Sequence, residues 1–228
     1  MGKRILVVDG NKEFVKGLAY DLNQDGYNVF ALYEGKNAVK ELGNQYYNLV
    51  LLDLELPDLS GLELCQDIRK KYTVPIIILS EKSNLMDQIV AMESGADDYL
   101  VKPFNVQELR TRIKAIFRRI EYSDGSKLEE NLEIGDFTIN TIGRTIEINS
   151  HEINLTGKEF DLFYVLITNP GKVFTREDLL RMVWGEDYFG DGRTIDVHIR
   201  RIRKKLLEAI DEDRYIQTKW GVGYYFEP

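Results

Sequence analysis

Two aspartates, a serine and a lysine stand at the ends of short apolar runs: Val7-Val8-Asp9, Leu49-Val50-Leu51-Leu52-Asp53, Ile76-Ile77-Ile78-Leu79-Ser80 and Leu100-Val101-Lys102. A continuous apolar run reads as a strand buried on both faces, as in a parallel sheet under helices. In open α/β sheets the ligand site lies just outside the carboxyl ends of the strands. A carboxylate there is a nucleophile, a metal ligand or a solvated loop acid, and Asp53 alone does not choose among them. The four ends taken together are more specific. Two carboxylates offer Mg²⁺ hard oxygen ligands. A hydroxyl and an ammonium can bind phosphoryl oxygens and offset their charge. Asp53 can then attack phosphorus as a carboxylate nucleophile and form an acyl phosphate.

A second constellation runs from Arg193 to Leu206. Ile195, Ile199, Ile202 and Leu206 recur at spacings of four, three and four and form one buried stripe of a helix. The opposite arc holds Val197, Arg200, Arg201 and Lys204, flanked by Arg203 and His198. Arginine reads guanine edges bidentately, and an outward Val197 can meet a thymine methyl. The helix start at Arg193-Thr194 suits a phosphate.

The elements that position these groups can be read in order. Strands are expected at Arg4 to Val8, Tyr27 to Leu32, Leu49 to Asp53, Val74 to Ser80 and Asp98 to Val101. Helices alternate with them: after an Asn11 cap, from Lys36 to Leu42, from Leu62 to Tyr72, from Leu85 to Ser94 and from Val106 to Arg119. Five such units with short connections predict a doubly wound five-stranded parallel sheet of the flavodoxin-like kind over 1–120. A polar linker is expected at 121–129, centred on Ser123-Asp124-Gly125-Ser126. From 130 to 228 the pattern is α+β. Short strands broken by turns precede two helices with capping-box signals, Thr156-x-x-Glu159 and Thr175-x-x-Asp178. The basic helix follows, then a hairpin turning through Gly221 and Gly223.

The totals agree with two soluble domains. The chain has 228 residues, 43% hydrophobic and 30% charged, with a net charge of −8. That balance excludes a protein that binds nucleic acid over its whole surface and leaves room for a local basic face. No apolar run approaches the ~20 residues of a membrane span, and Ile5-Leu6-Val7-Val8 is too brief for a signal peptide. A single cysteine, Cys65, excludes an internal disulfide and suits a reducing, cytoplasmic location.

Residues 1–119 resemble a response-regulator receiver domain. The resemblance is carried by Val7-Val8-Asp9, Leu52-Asp53-Leu54-Glu55-Leu56-Pro57, Ser80, Gly95-Ala96-Asp97-Asp98-Tyr99 and Lys102-Pro103-Phe104. It implies that Asp53 accepts a phosphoryl group from a sensor histidine kinase, with Ser80 and Lys102 on the phosphoryl oxygens. It also implies a Ser80–Tyr99 switch pair and Mg²⁺ on Asp9, Asp53 and the Glu55 backbone carbonyl. One departure stands out. The family has two adjacent acids after the first strand, the second ligating Mg²⁺ directly, whereas this chain reads Asp9-Gly10. Weak Mg²⁺ binding is therefore expected. The resemblance further implies a homodimer through the fourth helix, fifth strand and fifth helix. Ile89 and Met92 would form its apolar patch, and Asp97, Asp98, Glu108, Arg112 and Arg119 would supply its charges. Gln88 stands where Glu108 usually finds a basic partner.

Residues 130–228 resemble the winged helix-turn-helix effector of the OmpR/PhoB subfamily. Leu155-Thr156-Gly157-Lys158-Glu159-Phe160, Val173-Phe174-Thr175-Arg176, the Arg193–Leu206 helix and Gly221-Val222-Gly223-Tyr224 carry the match. It implies a recognition helix in the major groove of double-stranded promoter DNA, a hairpin wing at the minor groove, and a 184–192 loop facing RNA polymerase. Lys219 and Trp220 occupy the wing, the latter where the family often has arginine. An indole there packs on sugar and backbone, or braces the wing. The reading is a transcriptional response regulator, not an enzyme. The runner-up is a regulator whose receiver acts largely without phosphorylation. A phosphotransfer enzyme of the same topology is disfavoured: there is no Gly-rich phosphate loop, and neither His151 nor His198 lies near the acid edge.

Overall fold

The computed structural model describes residues 2–122, 131–141, 143–149, 151–185, 188, 191–210 and 214–228, without side chains for 118–122. The chain divides into two compact units, Met1–Arg110 and Thr111–Pro228. The first contains β1 (Arg4–Val8), α1 (Lys12–Gln24), β2 (Asn28–Leu32), α2 (Ala38–Asn44), β3 (Leu49–Asp53), α3 (Gly61–Arg69), β4 (Ile76–Ser80), α4 (Leu85–Glu93) and β5 (Asp98–Val101). The division falls inside α5 (Val106–Tyr122). That helix runs into the segment expected as linker, of which 123–129 lie outside the described residues.

The sheet order is β2-β1-β3-β4-β5, all parallel. The apolar runs are its centre: Ile5–Val8, Leu49–Leu52 and Ile76–Leu79 are buried throughout. A strand covered on both faces can be apolar at every position, which is why these runs do not alternate. Several boundaries differ from the sequence reading; α3, for one, ends at Arg69 rather than Tyr72. β4 begins at Ile76 rather than Val74. The second helix opens as a single 3-10 turn, Gly35–Asn37, because the Asp58 carboxylate accepts the Gly35 and Lys36 N–H groups at 2.8 and 2.9 Å. Gly61 lets α3 start against the end of β3, since a Cβ there would lie 2.1 Å from the Asp53 carbonyl oxygen.

Asp97 is fully buried beneath the sheet's lower edge. It forms an ion pair with Arg69 and accepts the Ile76 N–H at 2.9 Å. Arg69 also donates to the Gly95 carbonyl at 2.6 Å. One guanidinium thus ties the end of α3 to the start of β4 and to the turn before β5.

The second unit has a four-stranded antiparallel sheet, β6 (Asn131–Ile134), β7 (Phe137–Asn140), β8 (Thr145–Ile148) and β9 (His151–Ile153). Then come α6 (Gly157–Ile167), β10 (Phe174–Thr175), α7 (Arg176–Trp184), α8 (Arg193–Ile210), β11 (Ile216–Lys219) and β12 (Gly223–Phe226). The last hairpin recruits β10 into a three-stranded sheet, order β10-β12-β11. Both capping boxes form, at Thr156–Glu159 and Thr175–Asp178. Phe137, Phe163 and Phe226 meet with centroids 5.3–5.9 Å apart and join the two sheets to α6.

Breaking the Arg69–Asp97 pair leaves a carboxylate buried without its cation. Arg69→Ala should lower the stability of the first unit by about 3–5 kcal/mol, read from hydrogen exchange of the β3 and β4 amides. Unchanged exchange would show that the Arg69–Asp97 pair does not hold α3 to β4 and β5.

Candidate functional site: an acid pocket and a cationic helix

The parallel sheet brings Asp9, Asp53, Ser80 and Lys102 to one edge, as the strand ends predict. Lys102 Nζ lies 2.7 Å from Asp9 Oδ2 and 3.0 Å from Asp53 Oδ2. Asp9 is 1% exposed; Asp53 and Lys102 are largely covered. The second oxygens are also used. Asp9 Oδ1 accepts the Asn11 N–H at 2.8 Å, and Asp53 Oδ1 accepts the Glu55 N–H at 3.3 Å. Burial pushes the Asp53 carboxyl above its usual range, against the opposing pull of Lys102. Ser80 is fully buried, its Oγ accepting the Lys82 N–H at 3.2 Å. Tyr99 is turned inward and donates its hydroxyl proton to the Lys82 carbonyl at 2.7 Å. Burial raises the Tyr99 hydroxyl's pKa.

Among the described residues no group of three or more acidic, His or Cys side chains converges on one point. Asp9 and Asp53 share one ammonium, and Gly10 supplies no side-chain oxygen. A Cβ on Gly10 would lie 3.1 Å from Pro57 Cδ, so Pro57 partly fills the space an acid would use. The Glu55 side chain points to solvent, 3.7 Å from Lys82 Nζ. These residues do not fit a firmly held Mg²⁺.

On the expected dimer face the structure corrects three residues. Asp97 is the buried partner of Arg69, and Asp98 is 2% exposed with its carboxylate on the Tyr99 N–H at 2.8 Å. Met92 is 4% exposed. The outward apolar residues of α4 are Met86 and Val90, one helical turn apart. Ile89, Glu108 and Arg112 are half-buried, and the side chain of Arg119 lies outside the described residues.

In the second unit the basic helix keeps some of its expected face and loses the rest. Arg193, Arg200 and Lys204 are exposed, Thr194 half-buried, and Lys219 and Trp220 exposed on the hairpin. Arg201 turns away from solvent to lie 2.7 Å from Glu159 Oε1. Lys205 Nζ sits 2.6 Å from Glu159 Oε2, which also accepts the Thr156 N–H at 2.8 Å. Glu159 is fully buried. Burial drives its pKa up, but Arg201 and Lys205 outweigh that and hold it down at about 2. Arg201 is thus the counter-ion that lets α6 bury its capping acid. Arg203 braces the wing instead, donating to the Ile216 carbonyl at 2.7 Å and to Thr218 Oγ1 at 2.8 Å. Val197 and His198 are enclosed, taking apolar surface out of water; the His198 ring lies 5.1 Å from that of Trp184. The helix start is already occupied by a carboxylate, because Asp191 accepts the Arg193 N–H at 2.8 Å.

Sequence reasoning missed Asp196 as a positioning group. Its Oδ1 takes Arg176 Nε and the Tyr224 hydroxyl, both at 2.7 Å, fastening α8 to α7 and β12. Lys158 is also buried, donating to the Val183 carbonyl at 2.9 Å. In the loop expected to face RNA polymerase, 186, 187, 189 and 190 lie outside the described residues. No described helix is long and apolar enough to cross a membrane.

The comparisons agree with this geometry unit by unit. Residues 5–114 match the model of the response regulator receiver domain, and residues 150–226 that of the C-terminal domain of transcriptional regulatory proteins. A RitR mutant is 29% identical over 99% of both chains, with a TM-score of 0.78. The response regulator DrrB of Thermotoga maritima, described as an OmpR/PhoB homolog, is 34% identical over 100% of both chains, with a TM-score of 0.50. The BeF3-activated receiver domain of Klebsiella pneumoniae RstA is 29% identical over 51% of this chain and 99% of its own, with a TM-score of 0.50. The molecule therefore joins a receiver to a DNA-binding effector domain. It belongs to the two-component response regulators of the OmpR/PhoB type.

Because Glu159 is held at about 2 against its usual 4.5, it stabilises the second unit fully above pH 4.5, and that contribution fades as pH falls toward 2. Glu159→Gln should remove this acid slope and cost about 3 kcal/mol at neutral pH by leaving the half-buried Arg201 and Lys205 facing each other without their shared carboxylate. Emission of the buried Trp184 during denaturation at a series of pH values reads both effects.

Proposed function

We propose that the chain is a transcription regulator that reads promoter DNA with α8 and the β11–β12 hairpin, and that Asp53 is its phosphoacceptor. The observation that carries the reading is the row of exposed cations, Arg193, Arg200 and Lys204 on α8 with Lys219 on the hairpin, in a chain of net charge −8. A row of that kind pairs with successive phosphates and releases their counterions. The side chains facing the groove are then Arg200 and Lys204, with Arg201 retained by Glu159.

At the acid pocket Asp53 is the less deeply covered of the two carboxylates, and Lys102 Nζ, 3.0 Å from its Oδ2, favours the ionised form that attacks. Its oxygen attacks the donor's phosphorus and displaces the donor's leaving group, giving the acyl phosphate. Lys102 stays on Asp9 and moves its remaining donors to the new phosphoryl oxygens, with the Ser80 hydroxyl beside it. The donor is a sensor histidine kinase. Dimerisation through α4, β5 and α5 uses Met86 and Val90 as its apolar centre, and RNA polymerase is the partner of the assembled regulator.

Gly10 favours a second reading in which phosphorylation is slow and the receiver acts largely without it. Mg²⁺ is at most weakly held by Asp9, Asp53 and the Glu55 carbonyl.

Two experiments test these readings. Arg200→Ala and Lys204→Ala should each lower the slope of log affinity against log salt by about one, on any duplex, in fluorescence anisotropy. Unchanged slopes would remove α8 from the interface. Incubation with acetyl phosphate and Mg²⁺ should add one phosphoryl group by mass spectrometry, slowly in the wild type, faster in Gly10→Asp and not at all in Asp53→Ala. Rapid wild-type labelling, unaltered by Gly10→Asp, would overturn the second reading.

A further inference from the structure

The most exposed large apolar side chain in the described structure is Trp220, at 90%. It stands at the tip of the β11–β12 hairpin. The Val222 N–H donates to the Lys219 carbonyl at 2.9 Å, closing a four-residue turn. Gly221 takes φ +73° at its third position, as a type II turn demands, which puts Trp220 at the second position, pointing off the end. Val222 beside it is 45% exposed, and Lys219 is exposed on the other side. With only about a tenth of its surface covered, the indole is not packed on the described residues and does not brace the wing. Aromatic side chains of this size are normally covered, at least in part.

The tip is held in fixed relation to the cationic helix. Arg203 of α8 donates to Ile216 and Thr218 of β11, and Asp196 of α8 accepts from Tyr224 of β12. The winged helix-turn-helix resemblance implies that, with α8 along a major groove, the hairpin beside it reaches the neighbouring minor groove. That groove is about 6 Å wide and presents few distinguishing donors and acceptors. Apolar side chains that enter it act as wedges between base steps, unstacking and kinking the duplex.

We propose that Trp220, supported by Val222, is a minor-groove wedge that partly inserts between base pairs and bends the DNA, with Lys219 on the adjacent phosphate. This rests on the reading of α8 as the major-groove element. It makes Trp220 a specificity-determining residue that selects a deformable step. Pyrimidine–purine steps open at low cost and A-tracts resist, so sites with TA or CA/TG under the wing are preferred.

The chain has two tryptophans, and Trp184 is buried. Trp220→Ala therefore serves as the blank that isolates the Trp220 signal. The probes are 30-bp duplexes recovered by selection from a randomised pool with the full-length protein. On them the Trp220 emission should be quenched and shielded from acrylamide, and gel mobility of permuted fragments should show a bend of ~20–90°. Trp220→Ala should bind about tenfold more weakly, bend less and lose the step preference. Trp220→Arg should steepen the salt dependence, leave the duplex straighter and favour A-tracts. Binding by anisotropy with unchanged Trp220 emission and an unchanged bend in Trp220→Ala overturns the wedge and leaves α8 as the reader. That result assigns the exposed tip to a protein partner. No binding to any duplex, and no site recovered, overturns the reading of α8 and the wedge with it.

Discussion

Two carboxylates gathered at one sheet edge repel each other, and the receiver unit is built around the cation that prevents this. Lys102 Nζ sits between Asp9 and Asp53 within 3.0 Å of both. Its ammonium also lies 4.5 Å from the centre of the Phe14 ring, on the first turn of α1. The strand ends are therefore closed by one side chain that three elements share, β1 and β3 through their acids and α1 through its aromatic ring. The lysine cannot leave, so every change of charge at Asp53 is felt first by Lys102 and Asp9.

The effector unit solves the same problem deeper in the protein. Glu159 is buried because it caps α6, and a buried carboxylate needs cations near it. Those cations come from Arg201 and Lys205, on the flank of α8. The cap of one helix thereby sets the rotation of the next about its own axis. Asp196, from the far side of α8, adds a second constraint through Arg176 and Tyr224. What remains outward is a narrower cationic strip than the composition of the helix suggests.

Much of this was legible in the chain. A run such as Leu49–Leu52 ending in Asp53 has few places to go, and the parallel sheet that buries it fixes where the acid emerges. The same logic located Asp9, Ser80 and Lys102. The helix face was harder. Periodicity identifies the apolar stripe of α8 but not how far α6 and α7 wrap around it, so it places Arg201 and Val197 outward and His198 on the flank, where the structure encloses Val197 and His198 and turns Arg201 to Glu159. Only a long-range pairing with Glu159, 42 positions away by their numbers, decides Arg201. Asp97 and Asp98 are placed on a dimer face by the family resemblance alone, which does not register that a guanidinium from α3 brings the first inside. β10 was missed because two residues carry no period.

The double donation of Arg203 to β11 has a metrical consequence. Helix and hairpin are tied together by these bonds, so on the proposed reading the distance between their points of contact on a duplex is set by the protein and not by the DNA. A pair of contacts of that kind works as a caliper. On that reading it would accept sequences whose two features lie one set span apart along the helical axis, and adding a single base pair between them would turn one feature out of reach while leaving both intact.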